Sequence, residues 1–175
     1  MRFFDLFRGK KMERSQGTEA HDDFAARLLE EFSKNDHLGK AAVAREKART
    51  AEAEKDYDAA WRFYHEQKEH YLQHASRNRF TKAQTLALDG SVSQQLANIL
   101  RIEGKHDDAL IHILYWVASS SRPTKTQEQK LIAYLKRCKF KAISVADLQR
   151  TIEEFGENPD FVQIKNAVAA WRGSK

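Results

Sequence analysis

Three histidines, His65, His70 and His74, fall close together beside Glu66 and Glu69. Imidazoles and carboxylates one helical turn apart are what a zinc site needs. His65 and His70 are five apart, however, and a metalloprotease helix carries its histidines four apart, on one face. His70 and His74 do keep that spacing, with Glu66 one turn earlier on the same stripe. A bare histidine pair on a polar helix face is also simply solvated, and the expectation adopted is no metal and no cofactor. Other chemistry is sparser still. The chain has no Gly-rich phosphate loop and no Gly-x-Ser-x-Gly elbow, and Ser119, Ser120 and Ser121 have no base marked near them. It is expected not to be an enzyme.

A basic stretch offers a different chemistry. Lys125, Lys130, Lys136, Arg137, Lys139 and Lys141 are opposed only by Glu128, with Tyr134 and Phe140 between the charges. Basic plus aromatic side chains can neutralise phosphates and stack on bases. The same pattern also suits an amphipathic helix with its aromatics in the core and its lysines in solvent. Lys130, Lys136, Arg137, Lys139 and Lys141 are therefore the residues of an alternative, nucleic-acid-binding reading.

The elements that would position such groups are helices. Two prolines and seven glycines are few for 175 residues, and no turn dipeptide joins two alternating β-branched runs. The net charge of +5 with well-mixed signs favours an acidic partner over a basic one. One cysteine, Cys138, excludes an internal disulfide and is expected as a buried thiol. No apolar run reaches the roughly 20 residues of a membrane span, and Asp5 interrupts the short apolar start, so a cytoplasmic protein is expected. Residues 1–20 form a head (Phe3, Phe4, Leu6 and Phe7 before Arg8, Lys10 and Lys11) that would dock on its own domain, on a partner or on a membrane surface. Residues 21–175 are expected as one helical domain.

About eight helices follow from periodicity. The first runs from about His21 to Lys34, with Phe24, Leu28 and Phe32 on one face, and ends at Asn35-Asp36. A second, about Leu38 to Glu54, carries Ala41, Ala44, Ala48 and Ala51 on a stripe that lets another helix approach closely. A third bears Trp61, Tyr64 and Tyr71 at core spacing. One long helix is expected from Thr81 to Glu103, with Gly90 marking a break or a close contact. The next, about Asp107 to Ser119, is apolar on several sides and should be the most buried. Thr124 with Gln127 and Ser144 with Asp147 read as capping boxes, Gly156 as a helix stop, and Asn158-Pro159 as the cap and first residue of the last helix.

Two stretches read alike: Lys55-Asp56-Tyr57-Asp58-Ala59-Ala60-Trp61 and Gly104-Lys105-His106-Asp107-Asp108-Ala109-Leu110. With Ala48, Tyr57, Ala60 and Tyr64 in one unit, and Leu96, Ala97, Leu100, Gly104, His106, Ala109 and Ile113 in the other, they resemble tetratricopeptide repeats over residues 41–120. Lys47 and Ala51 stand where that family has leucine and tyrosine, and the units lie 49 positions apart, against about 34 in the family. The resemblance implies stacked helical hairpins, with Ala60 and Ala109 wedged at helix crossings. It also implies a peptide groove lined by Arg45, Arg49, Glu52, Gln94, Asn98 and Arg101, suited to an acidic segment or a C-terminal carboxylate. The function expected is a non-enzymatic adaptor. The alternatives are the nucleic-acid reading and a small inhibitor or immunity-type protein.

Overall fold

Capping side chains open five helices of this computed structural model, which describes residues 26–31, 33–141 and 143–173. The chain divides into two units, residues 1–36 and 37–175. In the first, residues 26–31 and 33–35 are helical and Asp36 ends the run. The expected head and the helix start with Phe24 and Phe32 lie outside the described residues. The second unit is all-α: α1 (His37–Ala53), α2 (Tyr57–Arg77), α3 (Lys82–Ser91), α4 (Ser93–Ile102), α5 (His106–Ala118), α6 (Lys125–Cys138), α7 (Val145–Phe155) and α8 (Phe161–Arg172). No strand occurs among the described residues.

Both expected capping boxes are present, Thr124 with Gln127 and Ser144 with Asp147, and Thr81 with Gln84 forms a third. Two expectations need correction. The long helix from Thr81 is two helices, parted at Val92. There the Ser91 hydroxyl donates to the Leu88 carbonyl at 2.6 Å, competing with the backbone ladder, and Gly90 is a poor helix former. The last helix starts one turn-step later than Pro159. Asp160 is its cap, accepting the Val162 N–H at 2.6 Å, while Pro159 is buried ahead of the helix.

The two alike stretches make the same turn. At the end of α1 the N–H of Asp56 bonds the Ala51 carbonyl and that of Lys55 bonds Glu52; at the end of α4, Lys105 bonds Leu100 and Gly104 bonds Arg101. These are paired Schellman bonds around a left-handed residue, Lys55 at φ 62° and Gly104 at φ 76°. A third copy closes α2, with Phe80 to Ala75, Arg79 to Ser76, and Arg79 at φ 53°. The wide 49-residue spacing is thus absorbed as helix length: α2 has 21 residues, and α3 and α4 supply 10 each on either side of Val92.

Side-chain size sets the packing. His37, Ala41, Ala44, Ala48 and Ala51 form the buried seam of α1, alternating steps of four and three as in a coiled coil. The seam lies on α2, where Ala59 and Ala60 meet it with Tyr64. Val92, Leu96 and Ile99 complete that cluster. The second cluster surrounds α5, buried from Ala109 through Tyr115, and takes in Leu131, Tyr134, Leu135 and Cys138 of α6, Leu148 of α7, and Ile164 and Val168 of α8. Ala60 and Ala109 are both fully buried, and Trp61 packs against both clusters. Gly90 serves a close contact as well as a break: a Cβ there would lie 2.7 Å from Ser119 Cβ.

Two glycine replacements separate space from backbone conformation. Gly90→Ala should lower stability by about 1–3 kcal/mol through the clash with Ser119, although alanine is the better helix former. Gly104→Ala meets nothing within 4 Å and should cost about 1 kcal/mol through its left-handed φ alone. Urea unfolding measures both; an unchanged midpoint for Gly90→Ala would mean that α3 does not press on α5.

Candidate functional site

Helix α1 has two flanks beside its seam, and they differ. On one lie Arg45, Arg49 and Glu52. The Tyr64 hydroxyl donates to Glu52 Oε2 at 2.7 Å. Burial, and then that bond, push the Tyr64 hydroxyl well above the usual phenol range, and the Arg49 and Arg45 charges act the other way. Among the described residues both arginines pair with Glu46, at 3.5 and 3.6 Å and in solvent, contacts worth a few tenths of a kcal/mol by the usual ~0–1 range for exposed pairs. Asn98 and Arg101 bond each other on α4, through Arg101 Nε at 3.2 Å and Nη2 at 2.7 Å. Gln94 is half-buried one turn earlier. The six expected groove residues therefore form two sets, and no hydrogen bond or ion pair joins Arg45, Arg49 and Glu52 to Gln94, Asn98 and Arg101.

The other flank of α1 forms an apolar cleft with α2. Ala51, Ala59 and Phe63 make its floor, Val43 one wall, and Glu46, Glu54 and Asp56 its rim, around a space of about 690 Å³. Val43 is 56% exposed, and the Lys47 ammonium lies 5.5 Å from the Phe63 ring centroid. The sequence signal for this cleft was Val43, a branched apolar residue off the alanine stripe.

On the basic face, the aromatics face inward. Tyr134 is buried, and Phe140 stands edge-on to Trp171 at 6.2 Å. Lys130 sits 5.6 Å over the Trp116 ring and Arg137 sits 5.4 Å over Tyr134 while donating to the Ala133 carbonyl. Lys136, Lys139 and Lys141 are exposed. Base stacking on Tyr134 is closed off by its burial.

A group that sequence reasoning missed lies between α2, α3 and α5. The Asp89 carboxylate, 8% exposed, takes the Lys68 ammonium at 3.1 Å and accepts the Tyr115 hydroxyl on the same oxygen. Lys68 is also 5.3 Å from the Tyr115 ring centroid and 5.8 Å from that of Phe161, at the start of α8. Beside them His112 stands edge-on to Trp61, its Nδ1 without a partner. Burial, reinforced by the Lys68 charge, pulls the His112 imidazole down to about 3. Burial and then Asp89 push the Tyr115 hydroxyl well up. The lysine is held by a carboxylate and two ring faces, the tyrosine stays protonated and the histidine stays neutral. This arrangement suits a clamp between helices better than acid–base turnover. Among the described residues no three His, Cys, Asp or Glu side chains converge to hold a metal. His70 Nε2 faces Glu66 at 3.9 Å, while His74 meets Asn78. No described helix is long and apolar enough to cross a membrane.

The clamp makes two predictions. Lys68→Met should destabilise by about 3 kcal/mol, since it strands a buried carboxylate, and adding Asp89→Leu should recover part of that loss; strict additivity in urea unfolding would show that the pair is uncoupled. Folded His112 binds its proton less readily than the unfolded chain, so its contribution is complete above about pH 6.5 and is lost progressively as pH falls toward about 3. His112→Phe should flatten stability over that window, measured as unfolding midpoint against pH. No family model, curated protein or solved structure matches the chain.

Proposed function

We propose that this protein is a non-enzymatic helical scaffold that seats an apolar protein segment, basic at its flanks, in the cleft between α1 and α2. The observation carrying this reading is the exposed Val43 beside the Phe63 and alanine floor, lined by the carboxylates of Glu46, Glu54 and Asp56 against one ammonium, Lys47, on a chain whose net charge is +5. Small side chains leave the floor low enough for an amphipathic helix, which would lay residues at i, i+4 and i+7 along it. The rim would then meet cations at both ends, with electrostatics setting register more than affinity. The acidic partner first expected belongs to the opposite flank, where Arg45 and Arg49 are held only by weak exposed contacts.

A displayed random-peptide library selected on the full chain, and counter-selected on Val43→Asp, tests the assignment. Recovered peptides should carry apolar residues at helical spacing with Lys or Arg at the ends. Glu54→Lys should weaken them by about tenfold, the equivalent of roughly 1.4 kcal/mol. Acidic peptides that tolerate Val43→Asp and are lost with Arg45→Ala/Arg49→Ala would move the site to the other flank. An empty selection would also reject the cleft.

A further inference from the structure

Four of the five seam residues of α1 are alanines, and the fifth, His37, is an imidazole. It is 8% exposed, and neither Nδ1 nor Nε2 has a hydrogen-bond partner. It stands at the open end of the α1–α2 hairpin, and neither core cluster includes it. The His70 ring of α2 lies 6.0 Å away, tilted by 35°. After burial, the groups that bear most on its charge are Arg77, Lys40, His70 and His74, and each disfavours a proton on it. The other two imidazoles are better provided. His70 has Glu66 and Gln73 near its nitrogens, and His74 has Asn78, with its ring edge-on to Phe80 at 5.4 Å.

We propose that His37 is a proton-operated latch: as a neutral ring it completes the seam, and as an imidazolium it parts the first two turns of α1 from the last two turns of α2. Both N–H groups of an imidazolium need acceptors, and the alanine seam provides none. The ring also sits at the N-terminal end of α1, where the helix dipole opposes a cation. The Arg77 and Lys40 charges oppose the proton further. The closed end disfavours the proton, so the open form binds it more readily. Closure is therefore complete above about pH 6.5 and lost as pH falls below it. The rest of the seam, from Ala44 to Ala51, contains no titratable group, so parting stops short of the Tyr57 turn.

Amide hydrogen exchange on the full chain, with protection factors corrected for intrinsic rates, tests this at about pH 7.5 and about pH 5.5. In the acidic sample Ala41 to Ala44 and Ala75 to Arg77 should lose about tenfold in protection relative to Ile111 to Leu114 of α5, matching one pH unit of linkage. His37→Gln should keep its protection. Equal loss in both proteins, or none in the wild type, overturns the proposal. The α5 reference removes the global effect of His112. The His37 ring, followed by NMR in the unmodified protein, gives an independent reading should the variant fail to fold: an apparent pKa at or above about 6.5 overturns the latch, and a lower one that coincides with the parting supports it.

Discussion

Where α1 meets α2, and again where α4 meets α5, side chains no larger than a methyl group set how near the helices come. Ala48 and Ala51 meet Ala59 and Ala60 on one side, with Tyr64 filling the space between. On the far side of the core, Ala97 and Ala109 do the same for α4 and α5. Each close contact gains many small dispersion terms, and each larger side chain there would forfeit them by holding the helices apart. The polar clamp depends on this spacing. Asp89 adjoins Gly90, and its carboxylate reaches Tyr115 because α3 lies hard against α5 at Ser119.

Charge follows packing in this molecule. The chain is mildly basic, yet charges drawn away from water are matched where they lie: Lys68 by Asp89 and two rings, Glu52 by the Tyr64 hydroxyl. Asp89 Oδ1 and His112 Nδ1 are left without partners, so the clamp is not fully satisfied. A buried pair of this kind contributes modestly while intact and is costly once one partner is removed. It fixes which helices meet more than how strongly they adhere.

Local patterns in the sequence revealed local structure. The alanine stripe of α1, the boxes at Thr124 and Ser144, the Gly156 stop and the two alike turns all depend on residues within a few positions of one another. The break at Val92 was less legible, because it arises from a serine hydroxyl capturing a carbonyl inside an otherwise helical run. Asp160 displaced Asn158 as a cap because either side chain can do the task and position decided between them. The Lys68–Asp89–Tyr115 contact was out of reach altogether: periodicity says which side of a helix is covered and is silent on which distant residue covers it. The same limit hid the cleft. Val43 and Arg45 both lie off the seam, and only the placement of Phe63 distinguishes their two flanks.

The three left-handed turns at Lys55, Arg79 and Gly104 fall 24 and 25 positions apart, and the paired bonds that close each one run between main-chain atoms. A joint made of main chain alone places little demand on the residue it carries, beyond tolerance of its φ. Such corners can drift in sequence, or accept a graft, while the rods between them keep their lengths. The two spans are filled differently, one by the single helix α2 and the other by α3 and α4, so the corner sets where the chain turns and leaves open what runs between.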